Sequence, residues 1–169
     1  IEVVTPGTLT SNQVLSQKSN QYMASIVFEK EVAGFAIFES STGEFLIGEC
    51  PSKNLIDYLI KYYPTEVIIG ESVVYSSADW YRELRPFITT VEDWIFSSDQ
   101  CYRTLLDLFN ISSFKGFGCD DLKAGLTAGG GLIYHIQTDL NIRVDHVTKI
   151  KTVSDEGIMG LDSFTIRNL

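Results

Sequence analysis

Between Tyr22 and Cys50 the sequence spells three strands in direct succession, Tyr22–Lys30, Val32–Ser40 and Glu44–Cys50. Ser41-Thr42-Gly43 supplies a short hairpin turn between the second and third. Links this short allow only antiparallel pairing, so the three strands form a meander.

The hydrophobic period changes next. Pro51-Ser52 opens a helix with Leu55, Ile56, Leu59, Ile60 and Tyr63 expected on its inward face, and Lys53, Asp57 and Lys61 in water. Pro64 ends it. Glu66–Gly70 (EVIIG) is a short continuous apolar run, the pattern of a strand buried on both faces. Strand, crossover helix and strand at this spacing place EVIIG parallel to the first part of the sheet. Asp79–Leu84 reads as a short helix ended by Pro86, and Thr89–Trp94 as a further strand.

Ser97 and Gln100, three apart as in a capping box, start a helix that runs to about Phe109. Gly116-Phe117-Gly118 breaks the chain. The longest helix then begins at Cys119 or Asp120 and reaches about Asp139, with the stripe Leu122, Leu126, Gly129, Ile133, Ile136 and Leu140. A last strand, Asp145–Val153, leads into Ile158–Leu169. At the other end, Ile1–Leu9 is an extended piece with a Pro-Gly turn, and Ser11–Gln21 is a polar loop. The fold class is α/β: a mixed sheet, a three-stranded antiparallel meander extended by parallel strands, with flanking helices.

Composition excludes several functions. The chain has 169 residues, 44% hydrophobic and 21% charged, which suits one globular domain. It contains no apolar run long enough for a membrane span and no leader pattern, so a cytoplasmic protein is expected. Net charge is −9, and neither half offers the basic stripe of a stand-alone nucleic-acid binder. Cys50, Cys101 and Cys119 form no CxxC pair and read as small core residues in a reducing compartment.

Catalytic chemistry is sparse. A meander followed by α-β-α-β resembles the ribonuclease H-like arrangement, whose nucleases hold two metal ions on carboxylates. The nearest candidates are Glu29, Asp57 and Glu71. Glu71 sits at a suitable strand end, but Glu29 falls at the far end of its strand and Asp57 on the polar face of its helix. Solvated surface carboxylates account for them better. His135 and His146 belong to no nucleophile motif, and His135 is expected at the surface or boundary of the long helix. There is no GxxxxGK[ST] or GxGxxG phosphate cradle. Asp120 and Asp121 would repel an anion at the helix start after Gly116-Phe117-Gly118. Within Ala128-Gly129-Gly130-Gly131 each interior glycine costs about 1 kcal/mol relative to alanine, which is tolerable only if another backbone approaches closely or the helix bends there, close packing being favoured over a ligand pocket.

Six segments in order then carry a family resemblance: VVTPGT at Val3–Thr8, ESSTGEF at Glu39–Phe45, PTEVI at Pro64–Ile68, FKGFG at Phe114–Gly118, AGGGLIYHIQTD at Ala128–Asp139 and LDSFTIRNL at Leu161–Leu169. Together they resemble the connector domain, the second domain of the MutS mismatch-repair family. The resemblance implies a ribonuclease H-like fold with residues 1–10 as the linker from the mismatch-recognition domain. It makes 11–153 the connector and 154–169 the start of the lever and core domain. It implies no catalytic, metal or cofactor site in this stretch, ATP and Mg belonging to the family's ATPase domain. It implies a link between mismatch recognition and ATPase, contact with neighbouring MutS domains, mismatched duplex DNA bound through the full-length and dimeric parent, and a surface for MutL. By position rather than identity, the helix from Asp99 to Phe109 resembles a connector helix implicated in docking MutL in the family. Cys101, Leu105 and Leu108 are its inward stripe, and Gln100, Arg103, Thr104 and Asp107 share the opposite polar face. The family usually has Asp where Glu39 stands, and often Gln where Arg103 and Thr104 stand.

Overall fold

The computed structural model describes residues 21–73, 79–115 and 118–153. The segments 1–20 and 154–169, with VVTPGT, LDSFTIRNL and both expected domain boundaries, lie outside the described residues, as do Gly116 and Phe117 of FKGFG.

The meander forms as expected. β1 (Tyr22–Glu29) pairs antiparallel with β2 (Val32–Glu39), and β2 with β3 (Phe45–Pro51). Lys30 takes a left-handed φ of 60° in the two-residue link between β1 and β2. In the next turn Gly43 has φ 77° and Glu39 is buried at 2% exposure. The Glu39 carboxylate accepts from the backbone N–H of Ser41 at 3.1 Å, the N–H of Thr42 at 2.9 Å and the Ser41 hydroxyl at 2.7 Å. A buried charge here is tolerable because several donors surround it.

β4 (Glu66–Gly70) lies parallel to β1, β5 (Ile88–Val91) parallel to β4, and β6 (Lys151–Val153) parallel to β3. The six strands run in the order β5-β4-β1-β2-β3-β6. Two expected strands are shorter than the sequence reading. Thr89–Trp94 becomes β5 followed by a 3-10 turn at Asp93–Phe96. Of Asp145–Val153 only the last three residues pair, although Val147 and Ile150 are buried without belonging to a strand.

Side chains alternate between two cores on opposite faces of the sheet. Ala24, Ile26, Phe35, Ile37, Val67 and Ile69 pack with α1 (Leu55–Leu59) and α2 (Asp79–Leu84). Met23, Ala36, Phe38, Phe45, Ile47 and Ile68 pack on the other side with α3 (Ser98–Phe109) and α4 (Lys123–Tyr134). The expected inward face of α1 is corrected at three positions. Tyr58 is buried, whereas Ile60 is 39% and Tyr63 77% exposed. Only Leu55–Leu59 is α-helical, and the 3-10 turns at both ends advance the chain by 120° rather than 100° per residue. Tyr63 then terminates the segment in a left-handed conformation before Pro64.

α4 is also corrected. It starts at Lys123, and its last turn, His135–Asp139, widens to a π-helix. It is no amphipathic stripe: every residue from Ala124 to Ile133 is buried, while Leu140 is 38% exposed. Glycine makes this possible. A Cβ on Gly125 would lie 3.0 Å from the Gly48 carbonyl oxygen, and one on Gly130 only 2.4 Å from the Cys101 Cα. The helix thus touches β3 on one side and α3 on another, and the close approach anticipated for the glycine run is present. The Ser25 hydroxyl donates to the Ala128 carbonyl at 2.6 Å. Glu49 of β3 caps the other end, accepting from the N–H of Ala124 at 2.7 Å and of Gly125 at 3.3 Å.

Candidate functional site

α3 is held by what lies beneath it. Cys101 and Leu105 are fully buried, Leu108 is half-buried, and the Phe109 ring stacks on Phe45 with centroids 6.5 Å apart. The Cys101 thiol donates to the Ile95 carbonyl at 3.2 Å. Burial pushes this thiol up to about 12, a contact with the Gly131 backbone opposing it only in part. At the C-terminus Asn110 takes the left-handed conformation, and the N–H of Ile111 reaches the Leu106 carbonyl at 3.1 Å, a Schellman-type stop. The expected capping box at the start is not made. Ser97 offers its carbonyl to the N–H of Cys101, but its side chain caps nothing.

The four residues expected on the outward polar face divide into two pairs. Arg103 and Asp107 are exposed; Gln100 and Thr104 are half-buried. At about 100° per residue, Arg103 falls opposite the inward stripe of Cys101, Leu105 and Leu108. On its other flank, away from Gln100 and Thr104, a groove of about 610 Å³ opens between α3 and the start of α4. Tyr102, Leu106 and Leu126 give it an apolar lining, and Asp99, Arg103, Asp120 and Lys123 supply charge. Tyr102 sets its ring edge-on against Phe114, centroids 5.3 Å apart, and Phe114 is fully buried. Sequence periodicity could not have found this groove, because its walls come from elements some twenty residues apart. The Asp120 and Lys123 pair beside the helix start was the only local signal.

The carboxylates considered for metal stay apart. Glu29 ends β1, Glu71 follows β4 and Asp57 lies on α1, all exposed. Among the described residues no group of three or more His, Cys, Asp or Glu could hold a metal ion. The nuclease alternative therefore finds no support in them. His135, expected near the surface, is instead 5% exposed. Its Nδ1 lies 2.8 Å from an Asp139 oxygen and its Nε2 3.4 Å from a Glu66 oxygen, while Thr89 donates to the other Glu66 oxygen at 3.1 Å. These contacts tie the π-turn to β4 and β5. No described helix is long and apolar enough to cross a membrane.

A mixed sheet covered on both faces, with a groove between two helices, places the chain in the class of three-layer α/β domains. The sequence model for MutS domain II matches residues 21–148. The chain is 33% identical to the DNA mismatch repair protein MutS of Flavobacterium johnsoniae over 169 residues, 99% of this chain and 19% of that protein. It is 35% identical to that of Salinibacter ruber over 173 residues, 100% of this chain and 19% of that protein. The figure for Parabacteroides distasonis is 35% over 171 residues, again 99% and 19%. The chain belongs to the MutS domain II family. It spans about a fifth of the length of these curated relatives.

Proposed function

We propose that this domain is the connector of a MutS-like mismatch-repair protein. It acts without catalysis in the cytoplasm, joins mismatch recognition to an ATPase region elsewhere in a dimeric parent, and presents α3 to MutL. ATP, Mg and mismatched duplex DNA belong to the full-length protein. The antiparallel meander with parallel strands added beside β1 supports a ribonuclease H-like fold.

The observation that carries the reading is the match to MutS domain II over 21–148. The physical character of the domain supports it. Two cores, a helix with buried glycines wedged between sheet and α3, and a carboxylate from β3 on that helix's N-terminus make a stiff body. A stiff body can transmit a change of position and expose one face in one nucleotide state only. A partner preferring that state shifts its population by the differential affinity.

Arg103 and Asp107 are exposed on α3, with Gln100 and Thr104 half-buried beside them. The test is Arg103→Glu in the full-length protein, with MutL recruitment measured on mismatched duplex in the presence of ATP. Recruitment should weaken while mismatch binding is kept. An unchanged apparent Kd for MutL removes the outward polar face of α3 from the partner surface.

A further inference from the structure

We infer that the groove between α3 and the start of α4, rather than the polar face of α3, supplies most of the affinity for MutL, and that its occupant is an apolar side chain of that partner flanked by charges of both signs. The inference rests on the reading of α3 as the MutL-facing helix.

Two observations separate the groove from the face. The face offers exposed charges, Arg103 and Asp107, and two side chains already half-buried against their own domain. Exposed ion pairs contribute about 0–1 kcal/mol, because water screens them and long side chains lose freedom. The groove is concave and apolar at its base. Tyr102 is 36% exposed, so it can contact a partner, yet its ring leans on the fully buried Phe114 and is held in place. Leu126 is 4% exposed on a helix enclosed by sheet and α3. A pre-positioned aromatic ring in a sheltered hollow is where binding energy concentrates, with the surrounding contacts excluding water.

Charge selects the occupant. Asp99 and Asp120 stand against Arg103 and Lys123, so the charged lining is balanced. A phosphate backbone needs an excess of basic groups, and a uniformly acidic or basic tail would meet as much repulsion as attraction. A protein segment with one apolar side chain on Tyr102, Leu106 and Leu126, and flanking residues of opposite sign, satisfies both the base and the rim. Arg103 belongs to the rim and to the face alike.

The experiment uses the full-length protein on immobilised mismatched duplex with ATP, titrated with MutL of the same organism. Tyr102→Ala should raise the MutL Kd about tenfold or more, the loss typical of a central anchor. Lys123→Glu should weaken binding too. It alters an exposed residue in the first turn of α4 and touches neither core; because Glu49 already places a carboxylate on this helix start, thermal unfolding of the variant is measured alongside to show that the fold is kept. Gln100→Ala and Asp107→Asn should each change Kd by less than about threefold, as rim contacts do. A wild-type Kd for Tyr102→Ala, with Arg103→Glu still defective, overturns the groove and leaves the α3 reading standing. A wild-type Kd for Arg103→Glu, Tyr102→Ala and Lys123→Glu together removes both. If Tyr102→Ala does not fold, Lys123→Glu decides, and an unchanged MutL Kd for it overturns the inference. Loss of DNA affinity without loss of MutL binding in Lys123→Glu would assign the groove to nucleic acid and overturn it equally.

Discussion

Replacing Gly130 by alanine should destabilise this domain even though it improves helix propensity. On an exposed helix the substitution would stabilise by about 1 kcal/mol. Here the new Cβ would stand 2.4 Å from the Cys101 Cα, 2.4 Å from its Cβ and 2.4 Å from its carbonyl oxygen. Carbon atoms settle at about 3.5–4.0 Å, so α3 would have to retreat by about 1 Å. No side-chain rotation can relieve the contact, since two of the three atoms are backbone of a helix. The retreat would loosen Leu105 and the Phe109–Phe45 stack. Overpacking costs about 1–3 kcal/mol, and a rigid neighbour puts this site at the upper end. After the propensity gain is subtracted, the net loss is about 2 kcal/mol. For a chain of this length that lowers Tm by about 4–8 °C. Urea and thermal unfolding, followed by circular dichroism, measure it. Gly118→Ala is the control: Gly118 has φ 72° and nothing within 4 Å of its would-be Cβ, so its cost is backbone strain alone. Enlarging alanine to leucine should therefore deepen the loss at 130 and not at 118. A raised Tm for Gly130→Ala would refute the close contact of α3 and α4.

Two further outcomes follow from buried ionisable groups. Burial alone would raise the Glu39 carboxyl, but donors from Ser41 and Thr42 outweigh it and hold it below the ordinary range. Its contribution is therefore full above the ordinary glutamate value of about 4.3 and is lost as pH falls through the lowered folded value. Glu39→Gln should cost about 1–3 kcal/mol at neutral pH by disrupting these bonds, and should flatten the acid limb of the urea midpoint against pH; an unaltered limb contradicts this. Burial pushes Cys101 to about 12, and burial aided by Asp120 and Asp121 pushes Cys119 to about 11. Together with buried Cys50, all three thiols should react with a disulfide reagent at pH 8 only on unfolding, and a thiol labelled within minutes in native buffer disproves it.

The elements that were legible in the sequence are those whose hydrophobic period needs no neighbour to interpret it. Phe35, Ile37 and Ile26 alternate with Ala36 and Ser25 in strands buried on both faces, and EVIIG is apolar throughout. What was misread depended on context. The inward face of α1 shifted because 3-10 turns at both ends broke the α period, so Tyr58 went in and Tyr63 out. His135 looked like a boundary residue because one of its two ring contacts, Glu66, lies far away in sequence on β4, and only Asp139 is nearby. Glu49 could not be recognised as a cap for α4 from a position 75 residues upstream. The candidate site divided the same way. The inward stripe of α3 was readable from spacing, but the groove depends on where α4 crosses it, and Gly130 sets that crossing through contact rather than pattern.

The enclosed position of α4 also constrains the order in which the chain can acquire its shape. Its sequence, KAGLTAGGGLIY, has too many glycines to hold a helix in water, where even good formers of this length are marginal. It becomes helical only when a surface is ready to receive it. That surface consists of β1, β2, β3 and α3, with Ser25 and Glu49 supplying the polar contacts, and all of it precedes α4 along the chain. On a ribosome the platform is therefore synthesised before the segment that depends on it. β6, which adds to β3 after α4 has been made, completes the sheet last.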